Sequence, residues 1–137
     1  MDTVADISAE RHKLLVADDE AIIRTRLKEL GENLGFSVVT AADGVEAWQA
    51  FLTEQPDLVI LDIYMPRMNG LVVLSKIKGA VPECPVILIT GFLNYEQLVN
   101  VSSVKPDGCI IKPLNSMKTG ALMLKLVQRE AEAVAMA

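Results

Sequence analysis

The sequence predicts one α/β domain: a three-layer α/β/α sandwich around a doubly wound, five-stranded parallel sheet. Three observations carry this. Residues 58–61 and 86–89 are apolar runs without polar alternation, the mark of strands buried on both faces, as in parallel sheets covered by helices. Segments of helical apolar spacing alternate with such runs along the chain, and every connection is long enough for a right-handed crossover. Finally, 137 residues fit a single domain able to bury roughly 70% of its unfolded surface without disulfides.

Residues 1–12 are polar and aperiodic and read as a flexible tail holding the only histidine, His12, in solvent. Residues 14–17 form a short strand that stops at Asp18-Asp19. Ile23, Leu27, Leu30 and Leu34 then fall on one helical stripe, which Gly35 ends in the position of a left-handed cap. After a second strand over 36–40, Asp43 and Glu46 make an aspartate version of the capping box, opening a helix whose predicted inner face is Val45, Trp48 and Leu52. Pro56 closes that helix. The central strand, 58–61, ends on Asp62 and a Met-Pro-Arg-Met-Asn-Gly turn. Asn69 caps a third helix carrying Leu74 and Ile77, and 86–90 is the fourth strand. Asn94 with Gln97 starts a fourth helix bearing Leu98 and Val101; 109–111 is a short fifth strand ended by Lys112-Pro113. Asn115 opens the last helix, which runs to the C-terminus with two apolar stripes: Met117, Ala121 and Leu124 on one, Leu122, Met123 and Leu126 on the other. One stripe should face the sheet. The other is ordinary apolar surface or a docking face.

Composition excludes several classes. Net charge of −5 argues against direct nucleic-acid binding, which needs clustered Lys and Arg. No apolar run approaches the ~18 residues of a membrane span, and the N-terminus has neither a basic start nor a hydrophobic segment, so a cytoplasmic protein is expected. Pairing Thr90 with Lys112 sets Cys109 level with residue 87, leaving Cys84 displaced by about 10 Å along its strand, beyond the ~7 Å a disulfide tolerates. Both cysteines read as reduced packing residues.

The chemistry is predicted at the strand ends. A carboxylate ending a buried strand is costly unless compensated. In a parallel sheet all carboxyl ends share one edge, so Asp18 and Asp19, Asp62, Thr90 and Lys112 converge on one pocket. Any one of these residues is commonplace as a cap or turn former; the conjunction of four strand ends carries the signal. Carboxylates at ~4 Å repel by about 4 kcal/mol per pair at an effective dielectric near 20, so a cation must gather them. Oxygen ligands without His or Cys point to Mg²⁺, with Mn²⁺ or Ca²⁺ able to substitute. Such an ion could bridge Asp62 to a phosphoryl group while Lys112 adds positive charge and Thr90 a hydroxyl donor, making Asp62 a nucleophile that forms an acyl phosphate.

The stretches LLVADDE, LVILDIYMPRMNG, ILITG and CIIKPL, in this order and across nearly the whole chain, resemble the receiver domain of two-component response regulators (CheY-like). The resemblance spans residues 13–130, leaving 131–137 as the end of the last helix or a tail. It implies a flavodoxin-like strand order 2-1-3-4-5, for which a member of this family is a known example. It implies that Asp62 is the phosphoacceptor, that Asp18 and Asp19 bind Mg²⁺ with the Tyr64 backbone carbonyl, that Thr90 is the switch hydroxyl and Lys112 the phosphate-sensing lysine. It also implies a cis Lys112-Pro113 bond. The donor would be a phosphohistidine on a sensor histidine kinase or histidine phosphotransfer protein. The chain would be a signalling phosphoprotein rather than an enzyme, and a homodimer through the fourth helix, fifth strand and last helix is possible. Two positions depart from the family. Cys109 stands where an aromatic residue often reports phosphorylation, and bulky Tyr64 and Phe92 flank the site, where shielding of the acyl phosphate is expected.

Two other classes share parts of this pattern. A haloacid-dehalogenase-type hydrolase needs a second acid two residues after its nucleophile, where this chain has Tyr64. A flavodoxin-like nucleotide binder needs a phosphate loop after the first strand, where Asp18-Asp19-Glu20 would repel phosphate. Whether the chain stands alone or belongs to a longer protein is left open by the sequence.

Overall fold

The structure, a computed structural model, describes residues 12–91 and 103–136, with side chains described as far as 128. Strand β1 (Lys13–Ala17) leads to helix α1 (Ala21–Asn33), β2 (Ser37–Ala41), α2 (Gly44–Glu54), β3 (Leu58–Asp62), α3 (Gly70–Ala80) and β4 (Val86–Thr90); β5 (Gly108–Ile111) and α4 (Ser116–Met136) complete it. All neighbouring strands are parallel, in the order β2-β1-β3-β4-β5. The order reverses between β1 and β3, which is where sheets of this kind leave a crevice at their carboxyl ends. The helix expected around Asn94 and Val101, and Phe92 beside the site, lie outside the described residues.

Alternation along the strands builds two cores. Leu14, Val16, Leu58, Ile60, Ile87 and Ile89 point to one face, where Leu27 of α1 and Met123, Leu126 and Val127 of α4 cover them. Leu15, Ala17, Val59, Leu61, Val86 and Leu88 point to the other, covered by Ala47 and Phe51 of α2 and Val73, Leu74 and Ile77 of α3. Every residue of β3 and β4 is buried, as continuous apolar strands require. Of the two stripes on the last helix, the one with Met123 and Leu126 faces the sheet. Met117 on the other is 85% exposed.

The caps fall where the sequence places them. Asp43 Oδ1 accepts from the Glu46 amide, Asn69 Oδ1 from Val72 and Asn115 Oδ1 from Lys118. The Glu46 carboxylate reaches back one residue further than in a standard capping box, to the amide of Ala42. Gly35 has φ 101°, the left-handed conformation expected after α1.

Three expectations need correction. The buried side of α2 is Gly44, Ala47 and Phe51, one residue round from the predicted stripe, and Leu52 is 55% exposed. Trp48 is half-buried and stacked on Phe51, and the Lys76 ammonium lies 5.5 Å from the centre of its ring. Gly44 takes the inner position at the start of the helix because α2 begins hard against the turn after β3: a Cβ on Gly44 would lie 1.7 Å from the Met68 carbonyl oxygen. Next, β5 starts at Gly108 and pairs Cys109 with Leu88 rather than residue 87. The added residue increases the separation from Cys84, and neither cysteine is in a disulfide. Last, His12 is not a solvated tail residue: it is half-buried, and its carbonyl accepts from the Ser37 amide at 2.9 Å.

Candidate functional site

The carboxyl edge of the sheet brings Asp18, Asp62, Thr90 and Lys112 together. Asp18 follows β1 and is fully buried. Its Oδ1 accepts from the Glu20 amide at 2.8 Å, closing the turn into α1, and Arg24 donates to its carbonyl at 2.7 Å. Asp62 ends β3, 4% exposed, with the Tyr64 amide 3.4 Å from its Oδ1. The turn after it is packed tightly. The Gly70 amide donates to the Ile63 carbonyl at 2.7 Å, and a Cβ at Gly70 would come within 2.2 Å of the Asp62 carbonyl oxygen. Arg67 of that turn, in the left-handed region at φ 69°, pairs with Asp43 at 3.1 Å.

Thr90 ends β4, 1% exposed, one residue beyond Ile89, the partner of Asp62. Its carbonyl accepts from the Lys112 amide at 2.8 Å, so β4 hands the backbone of Lys112 to the site. The peptide from Lys112 to Pro113 is cis, as the resemblance implies. From there the Lys112 ammonium reaches three carboxylates at once: Glu20 Oε1 at 2.5 Å, Asp18 Oδ2 at 3.1 Å and Asp62 Oδ2 at 3.3 Å.

Electrostatics follow from this packing. Burial, followed by the charge of Asp18, pushes the Asp62 carboxyl up to about 6, against the pull of Lys112. For Lys112, burial acts to lower the ammonium's pKa but is outweighed by its bond to Glu20 and the charge of Asp62, so it is held above the ordinary lysine range. One lysine does not fully compensate three acids. Asp18 Oδ2 is close to Nζ but out of hydrogen-bond alignment, and no hydrogen bond reaches it. Oxygens of Asp18, Glu20 and Asp62 lie within 4.8 Å of one another, and this oxygen-only set suits a small hard dication.

Asp19 is exposed and is not one of those three; the third acid is Glu20, which the sequence reading noted only for its charge. Its position two residues after Asp18 was the available signal. Tyr64 is 44% exposed beside the site. Cys109 sits half-buried against the core shared with α2 and α3.

Fold and site together define a class: a doubly wound α/β protein with an acid pair and a lysine at the switch point of its sheet. The chain belongs to the response regulator receiver domain family, whose model matches residues 14–124. It is 34% identical over 129 residues to a probable transcriptional regulator ycf27 of Guillardia theta, covering 93% of this chain and 50% of that protein. Against the Regulator of RpoS of Escherichia coli K12 the figures are 33% over 105 residues, 77% and 31%. The chain thus spans about half the length, or less, of these curated relatives. Among solved structures, the response regulator TrrA of Thermotoga maritima in complex with Mg²⁺-BeF is 36% identical at TM-score 0.77, covering 84% of this chain and 98% of that one. A receiver domain protein of Clostridium thermocellum is 27% identical at TM-score 0.81, covering 89% and 98%.

Proposed function

We propose that this domain is the phosphoacceptor of a two-component phosphorelay, with Asp62 taking a phosphoryl group from a phosphohistidine on a sensor histidine kinase or histidine phosphotransfer protein. The observation that supports this best is the Lys112 ammonium held within 3.3 Å of both Asp18 and Asp62 at the switch point of the sheet. Asp62 attacks phosphorus through a carboxylate oxygen; the P–N bond breaks, its electron pair returns to the imidazole, and a P–O bond forms. Lys112 balances charge on the phosphoryl oxygens, and Thr90 offers its hydroxyl to one of them. Asp18, Asp19 and Asp62, with the Tyr64 carbonyl, would hold Mg²⁺, which neutralises the carboxylate and the phosphoryl group as they approach. Two buried acids at the strand ends, Asp18 and Asp62, with one Asp18 oxygen lacking a hydrogen bond, fit such an ion; Asp19 beside them is exposed.

In this reading the chain catalyses only its own phosphorylation and dephosphorylation. Phosphorylation biases a surface between two pre-existing states. That surface includes Ile111 and Met117, both exposed, and a second copy of the chain could dock there. We place its action in the cytoplasm, without membrane or nucleic-acid contact of its own. Among the described residues no helix is long and apolar enough to cross a membrane. Incubation with acetyl phosphate and Mg²⁺ should add one acid-stable, base-labile phosphoryl group per chain, detected by intact mass. An Asp62→Asn protein that labels like wild type overturns the reading, and so does turnover of simple phosphate esters without a labelled protein.

A further inference from the structure

Glu20 makes the shortest contact to Lys112, and helix geometry does not demand it. The residue occupies the N-cap position of α1, yet its side chain caps no amide of that helix. Its carboxylate instead crosses to the end of β5. The three acids around the ammonium also differ in kind. The side chains of Asp18 and Asp62 are 0% and 6% exposed and fixed by their turns, whereas that of Glu20 is 60% exposed and can rotate into water.

We propose that Glu20 is a placeholder anion: it occupies Lys112 while Asp62 is unmodified and yields it to the phosphoryl oxygens once Asp62 carries them. This rests on the phosphoacceptor reading of Asp62. The ammonium has three N–H donors: it hydrogen-bonds Glu20 and Asp62 and lies 3.1 Å from Asp18 Oδ2 without bonding it, which leaves at most one donor uncommitted. A phosphoryl group on Asp62 brings three new acceptor oxygens, more than that one donor can meet, so an existing partner gives way. Asp18 is held in place by the Glu20 amide and has no solvent to turn to. Only Glu20 can leave at little desolvation cost. Its carboxylate, within 4.8 Å of an Asp62 oxygen, also repels the charge of an incoming phosphoryl group. Both effects act in one direction: Glu20 stabilises the unmodified site and opposes the modified one. It is a positioning residue, acting through Lys112.

Glu20→Gln and Glu20→Ala, labelled with acetyl phosphate at saturating Mg²⁺ and low salt, should label faster than wild type. A gain of about 2- to 5-fold is expected, the scale of an exposed ion pair. The gain should shrink towards unity as salt rises to about 0.5 M, where the screening length falls to ~4 Å; a merely structural change at the start of α1 would not respond so. Labelling at or below the wild-type rate overturns the proposal. A calorimetric fall in Mg²⁺ affinity of about tenfold or more in Glu20→Gln also overturns it, since that is the scale on which metal sites respond to lost partners and would make Glu20 a cation ligand. If wild type takes no label at all, the phosphoacceptor reading fails and this inference with it. A labelled wild type with unresponsive variants sinks the inference alone.

Discussion

Replacing Asp62 by Asn should stabilise the metal-free protein at neutral pH, although it removes the residue on which function is proposed to depend. Asp62 is buried beside Asp18, and its carboxyl is raised to about 6 from 3.8. The folded state therefore binds a proton there more tightly than the unfolded chain does. Below 3.8 both states are protonated and the acid carries no penalty. As pH rises from 3.8 to 6 the unfolded state ionises first and stability drains away, and above 6 the loss is complete. A carboxyl raised from 3.8 to about 6 corresponds to a penalty of about 3 kcal/mol at pH ~8, roughly halved at pH ~5. Lys112 keeps Asp18 and Glu20 as partners in the variant, so its own charge is not stranded. Urea unfolding of both proteins, free of divalent cations, should show Asp62→Asn more stable at pH ~8 by up to about 3 kcal/mol, with roughly half that gap at pH ~5. A gap that is independent of pH, or a variant less stable than wild type at pH ~8, would refute the argument that burial and Asp18 strain this carboxylate.

Three further outcomes are expected. Lys112→Ala strands Asp18 and Asp62 without their buried cation and should cost about 3 kcal/mol at neutral pH, largely restored by millimolar-range Mg²⁺; a thermal melt with and without the ion checks this, and a variant as stable as wild type contradicts it. Tyr64→Asn, phosphorylated under identical conditions, should lose its label faster if the bulky side chain two residues after Asp62 shields the acyl phosphate from water, as expected from the sequence; unchanged decay by intact mass disposes of that role. Gly70→Ala drives a methyl to within 2.2 Å of the Asp62 carbonyl oxygen, so the turn must shift, costing about 1–3 kcal/mol in urea unfolding and slowing labelling of Asp62.

Features that depend only on neighbours along the chain were legible in the residues alone. Continuous apolar strands identified a parallel sheet covered on both sides, and Asp43, Asn69 and Asn115 marked helix starts because an N-cap needs only a side chain and an amide three residues on. The convergence of Asp18, Asp62, Thr90 and Lys112 was legible too, since parallel strands of similar length must end at one edge. Tertiary packing decided the rest. At residues 18–20 three successive acids leave one strand end, and composition cannot say which turn inward; the bond from the Glu20 amide to Asp18 directs that turn, sending Asp19 outward and Glu20 across to Lys112. Likewise α2 turned Gly44 and Ala47 inward in place of Val45, because its first turn abuts the Met68 carbonyl and only a residue without a side chain fits there. Hydrophobic pattern ranks residues by their appetite for burial, whereas closeness of approach between elements, set only when the sheet and its turns assemble, ranks them by size.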